Sequence, residues 1–148
     1  MIDWQEMLTI HQELNQFARV MLVKKQKKFL TASERELLAW MYLTKSGCTP
    51  LYLSKVTGMK KEAVSRCLKC LYEKGCIQRE KKDSDERSYS LSLTKQGEDA
   101  LQNDFQIMLQ TFYDLYREMG EEFEELCRLI SKANQIMTKP KEKKDEIL

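Results

Sequence analysis

A mainly helical chain that closes on one short β-hairpin is what these 148 residues predict. Two observations carry that expectation. Apolar residues recur at steps of three and four before Gly75 and after Thr94, the mark of helix faces turned to a core. Between them Ser88-Tyr89-Ser90-Leu91-Ser92-Leu93-Thr94 alternates strictly, as a half-buried strand does. The length suits one domain with one core, and 42% hydrophobic with 32% charged residues excludes a disordered or collagenous chain. No run of eighteen apolar residues is present, and Asp3 and Glu6 interrupt anything like a secretory signal, so a cytoplasmic protein with no membrane partner is expected. Five cysteines without framework spacing fit a reducing compartment.

The first helix is marked by Trp4, Met7, Leu8, His11, Leu14, Phe17, Ala18 and Met21. No Gly or Pro interrupts it before the Lys24-Lys25-Gln26-Lys27-Lys28 run, whose charges suit a helix C-terminus. A helix of more than twenty residues is expected, with part of its stripe covered from outside the subunit. The second helix opens at Thr31, three residues before Glu34, the spacing of a capping box. It carries Leu37, Leu38, Met41 and Tyr42 inward and is expected to end at Gly47. Thr49-Pro50 starts a short third helix, with Leu53 and Val56 inward and Gly58 breaking it. The fourth runs from about Lys60 to Lys74, with Val64, Cys67, Leu68 and Leu71 on one face and Lys60, Lys61, Ser65, Arg66 and Lys69 on the other.

Cys76 to Lys81 is the partner for the alternating strand, and the polar stretch from Lys82 to Arg87 makes the hairpin tip. Tyr89, Leu91 and Leu93 fall on one face and serines on the other. Thr94 then caps a long helix bearing Leu101, Phe105, Met108, Leu109, Phe112, Leu115, Tyr116 and Met119, which Gly120 ends. A last helix carries Phe123, Leu126, Ile130, Ala133 and Met137, and the lysine-rich tail from Thr138 has too little apolar content to pack. Two short helices across a glycine turn, the second basic outside, followed by a hairpin, make a winged helix-turn-helix.

Charge is unevenly placed along the chain. Met1 to Gly47 has 7 basic and 5 acidic residues, Cys48 to Gly97 has 11 and 6, and Glu98 to Leu148 has 7 and 12. The basic middle reads either as a polyanion-binding segment on an acidic scaffold or as a set of solvated faces.

Leu30-Thr31 with Glu34 and Leu37-Leu38, Thr49-Pro50 with Leu53, Val64-Ser65-Arg66 with Leu71, Gly75, Ile77 and Arg79, Asp85-Glu86-Arg87, and Leu93-Thr94 with Gly97 together resemble the MarR family of bacterial transcriptional regulators. The resemblance covers roughly Leu30 to Gly97. It implies a homodimer in which the first helix and the last two interlock (1–29 and 98–137), a winged-helix lobe for double-stranded DNA (30–97), and a mobile tail (138–148). It also implies a repressor on a palindromic operator, weakened by a small phenolic or other lipophilic effector bound where the dimer helices meet the lobe. The family's wing Asp-x-Arg, which places an arginine in the minor groove, carries over to Asp85 and Arg87.

Phosphates attract cations, and base edges select side chains. Ser65 and Arg66 stand where a recognition helix meets bases, and an Arg there grips guanine O6 and N7 together. Lys60, Lys61 and Lys69 suit phosphates, while Arg87, with Lys81 and Lys82, suits a narrow minor groove or else pairs with Asp85 or Glu86. His11, Phe105, Met108 and Phe112, with Tyr116, either line a lipophilic effector pocket or serve core and dimer packing. Cys67-x-x-Cys70, with Cys76 nearby, invites a redox or zinc reading, yet no His or second pair completes four ligands. Neither a glycine-rich phosphate loop nor a nucleophile elbow is present, so an enzyme, a metal site and a cofactor are not expected. The alternatives to a DNA-binding regulator are a protein-interaction module or antirepressor built on the same basic helix, and a thiol-based redox switch.

Overall fold

In a computed structural model the described residues are 1–22, 29–45, 47–81 and 89–139, without the side chains of Lys81 and Ile107. Lys82, Asp85, Arg87, the Lys24–Lys28 run and most of the tail lie outside them. The elements are α1 (Trp4–Met21), α2 (Ala32–Leu43), α3 (Pro50–Thr57), α4 (Lys61–Glu73), β1 (Ile77–Lys81), β2 (Tyr89–Leu93), α5 (Lys95–Met119) and α6 (Glu121–Thr138). They fall into two compact units, Met1–Leu109 and Gln110–Leu148.

The first unit is built around one core. Leu37 and Leu38 of α2, Leu53 of α3, Val64 and Leu71 of α4, and Cys76 are 0–1% exposed, and Leu30, Ile77, Leu91 and Leu101 close around them. Each such Leu contributes about 2 kcal/mol of burial. The strands pair antiparallel with Ile77 opposite Leu93 and Arg79 opposite Leu91.

Four expectations are revised. The box at Thr31 is only half formed: the Thr31 hydroxyl accepts from the Glu34 N–H at 3.2 Å, but the Glu34 carboxylate turns inward to Lys74 Nζ at 2.7 Å. A complete capping box stands instead at the start of α1, where Asp3 accepts from Gln5 and Glu6 and Glu6 accepts from the Asp3 N–H. Helix α2 ends at Leu43, before Gly47, because Thr44 is already extended (φ −92°, ψ 100°). Helix α1 has 18 residues, not more than twenty, since its C-cap Leu22 leaves helical geometry at φ −108°, ψ 26°. The serine face of β2 is not wholly solvated either. The Leu91 N–H donates to the Cys48 carbonyl at 2.8 Å, and Ser90 is buried where that segment runs beside the strand.

The second hairpin strand meets α5 through a close approach. Thr94 Oγ1 accepts from the Gly97 N–H at 3.1 Å and donates to the Gly75 carbonyl. A Cβ on Gly97 would lie 2.0 Å from the Cys76 carbonyl oxygen, so only glycine fits at this junction. Arg35 of α2, buried, reaches Asp104 of α5 at 3.4 Å.

Helix α1 contrasts with this lobe. Its residues are exposed except Met21, with Trp4 at 72% and Leu14 at 62%. In the second unit, Tyr116 and Phe123 meet edge to face at 5.4 Å across the turn at Gly120. Along α6, Leu129, Ile130, Ile136 and Met137 are all exposed.

Candidate nucleic-acid interface

Helix α4 is fixed at both ends and from behind. Ahead of it, Thr49 caps α3 by accepting from the Tyr52 N–H at 3.1 Å, and Pro50 fills the first helical turn. The turn between the two helices uses Gly58 at φ 71°, a left-handed conformation that favours glycine. Hydroxyls tie it down: Ser54 Oγ donates to the Met59 carbonyl at 2.7 Å, and the Met59 N–H donates to Thr57 Oγ1 at 3.2 Å. The far end of α4 closes in a Schellman motif, with the Gly75 N–H on the Tyr72 carbonyl at 3.0 Å and the Cys76 N–H on the Leu71 carbonyl at 2.9 Å.

Lys74 belongs to this anchoring rather than to the exposed basic face. Its Nζ donates to Glu34 and to the Phe29 carbonyl, the latter at 2.7 Å, and lies 5.1 Å from the Phe29 ring centre. The ammonium is therefore spent in joining the end of α4 to the start of α2. With Val64, Leu68 and Leu71 buried, the opposite face is fully outward: Lys60, Lys61, Ser65, Arg66 and Lys69 are all exposed. Among the described residues none of these cations pairs with a carboxylate in a salt bridge. The face is thus a row of uncompensated positive charge on a rigid rod.

Sequence reading missed two members of this surface, Arg79 and Tyr72. Arg79 Nε donates to the Tyr72 hydroxyl at 2.9 Å, and its guanidinium carbon lies 4.5 Å from the Tyr89 ring centre and 5.3 Å from that of Tyr72. The hydrogen bond to Tyr72 pushes the guanidinium pKa further up. No periodic signal announces the cluster, because the three residues come from three elements. The alternation of β2 and the short i, j−2 diagonal across the hairpin were the only clues.

The remaining candidates are placed as follows. Lys81 ends β1, and Phe105 lines a cleft of about 460 Å³ between α2 and α5, with Tyr42, Leu43, Leu101 and Leu109. Glu98, Asp99 and Lys95 stand at its edge, Lys95 paired with Asp99 at 3.6 Å. Met108 and Phe112 are half-buried on α5. His11 does not line that cleft; it is exposed on α1, its Nδ1 3.2 Å from Asn15 Nδ2. Burial pushes the Cys67, Cys76 and Cys48 thiols up, the last to about 11, so these three stay protonated at neutral pH. Cys70 and Cys127 are exposed. Among the described residues no group of three His, Cys, Asp or Glu could hold a metal ion, and no helix is long and apolar enough to cross a membrane.

Helix-turn-helix, hairpin and long flanking helices define a winged-helix protein of the MarR type, and comparison with solved structures gives the same fold. The chain is similar to a MarR/EmrR family transcriptional regulator from Acinetobacter sp. ADP1, at 22% identity and TM-score 0.64, over 93% of this chain and 96% of that one. It is similar to the multiple antibiotic resistance repressor MarR at 20% identity and TM-score 0.61, covering 90% and 96%. MepR from S. aureus in complex with DNA matches at 19% identity and TM-score 0.59, covering 93% and 96%. No family model and no curated protein matches the sequence.

Proposed function

We propose that the protein is a sequence-specific double-stranded DNA-binding transcriptional regulator, acting as a homodimeric repressor on a palindromic operator. The observation that carries this reading is the outward, unpaired basic face of α4, held from behind by Leu71, the Schellman turn and Lys74. A rigid rod with that face matches the width of a major groove. In this reading Ser65 and Arg66 meet bases; Lys60, Lys61 and Lys69 meet phosphates. Lys81, Lys82 and Arg87, with Asp85 in support, carry the wing. The structural neighbour solved with DNA supports it.

The second copy is proposed from the exposed apolar stripes of α1 and α6, which a subunit alone leaves in water. Ligand response is proposed for the α2–α5 cleft. Its walls are aromatic and aliphatic and its edge has two carboxylates against one lysine, which favours a lipophilic cation over the phenolic anion that family resemblance suggests. A neighbouring MepR structure holds ethidium, a planar cation.

Selection of bound duplexes from a random pool, followed by titration across salt, tests the reading. Binding should fall steeply with salt and discriminate between sequences. Arg66→Ala should relax sequence preference, costing about 1–3 kcal/mol on the selected site, while Lys61→Ala should weaken all duplexes alike. A shallow salt slope with equal affinity for every duplex would point to an acidic protein partner instead.

A further inference from the structure

Resting on the DNA-binding reading above, we infer that the hollow between α4 and the foot of the hairpin seats one DNA phosphodiester, with Arg79 as its main cation. The hollow has a volume of about 280 Å³ and is bordered by Ser65 and Lys69 of α4, Tyr72 near its end, Arg79 of β1 and Tyr89 of β2. Two cations from different elements face it, and no carboxylate lines it. Two hydroxyls, of Ser65 and Tyr72, lie on the same border and can donate to phosphate oxygens.

What distinguishes Arg79 from an ordinary surface arginine is how it is positioned. Surface guanidinium groups usually settle against a carboxylate, which cancels their charge. Here the partners are two phenol rings and one phenol oxygen, which fix the plane while leaving the charge intact. Nε is occupied by Tyr72, so the two terminal nitrogens form the edge available to an anion, in the fork geometry that suits phosphate. Little side-chain entropy remains to be lost on binding. The seat also joins the two DNA-reading parts, since Tyr72 belongs to α4 and Tyr89 to the wing strand. A phosphate bound there would be gripped by both at once.

The test is anisotropy titration of wild type, Arg79→Ala and Tyr89→Leu on the selected duplex and on a scrambled one, from 50 to 250 mM KCl, with phosphate-ethylation interference on the selected duplex. Arg79→Ala should lose about tenfold in affinity on both duplexes, and the slope of log affinity against log salt should shrink by about 0.9, the value for one phosphate contact. One ethylation-sensitive phosphate per half-site should disappear. Tyr89→Leu keeps the charge but loosens it, so affinity should fall about threefold with the slope preserved. A purely structural clamp would lower the melting temperature of Arg79→Ala without changing slope or ethylation pattern, and that result would overturn the inference. If wild type binds steeply and Arg79→Ala runs parallel to it, the seat alone is lost. If wild type ignores every duplex, the DNA-binding reading falls and takes the seat with it.

Discussion

The lobe between Leu30 and Leu101 and the helix α1 that precedes it are made from similar amounts of apolar residue and end in opposite states. In the lobe, Leu37, Leu38, Leu53 and Leu71 are fully out of water, and the polar side chains buried with them, Glu34 and Arg35, have charged partners. In α1 the capping box at Asp3 and Glu6 is complete, yet Trp4, Leu8, Leu14 and Val20 remain exposed. A well-capped helix with no core beneath it gains little from its apolar stripe, because helix stability in proteins comes mostly from packing. The lobe is finished by its own chain, whereas α1 is shaped for a surface that a single chain does not supply.

The largest effect should come from hollowing the finished region. Leu38→Ala leaves a cavity at a fully buried position and should lower unfolding free energy by about 3–5 kcal/mol, read from the urea midpoint. The equivalent change at Leu14 should alter subunit stability by less than about 0.5 kcal/mol. The unfinished region should respond through association instead. Leu14→Glu with Phe17→Glu should weaken self-association about 100-fold or more in sedimentation equilibrium, since two apolar side chains worth roughly 1.5 kcal/mol each would be lost from an interface. Unchanged association would mean that α1 is not where copies meet.

Gly97→Ala probes how tightly the lobe is closed at the hairpin–α5 junction. The added methyl cannot coexist with the Cys76 carbonyl, so a loss of about 2 kcal/mol is expected in the same urea assay. The smallest effect concerns pH. Burial raises the Cys48 thiol from an ordinary 9.0 to about 11, with Cys67 and Cys76 moved the same way. The unfolded chain gives up that proton first. Stability should therefore be full below pH 9 and decline as pH rises toward 11. Cys48→Ala should flatten part of that decline, while α1, which has no cysteine, should contribute nothing to it.

Signals that act within a few residues were legible in the sequence. Thr49-Pro50, Gly58 and the outward basic side of α4 declared themselves through capping chemistry and period, and the wing through strict alternation. What stayed hidden depends on partners brought together by folding. Glu34 looked like a capping residue because its neighbour Thr31 is three positions away, but Lys74, forty positions on, offered a buried charge instead. Arg79 carried no mark of its role because Tyr72 and Tyr89 converge on it only when β1 lies between them. Ser90 matched a solvated position until the Cys48 segment ran alongside.

Because α4 is secured by Val64, Leu68, Leu71 and Lys74 on its hidden side, its outward residues are free of structural duty. Positions 61, 62, 65, 66 and 69 can then be exchanged as a set without endangering the lobe, which makes the helix a replaceable reading head. Transplanting those outward residues from another winged helix should yield a folded chimera with a new duplex preference, and evolution has the same route open for rewiring a promoter.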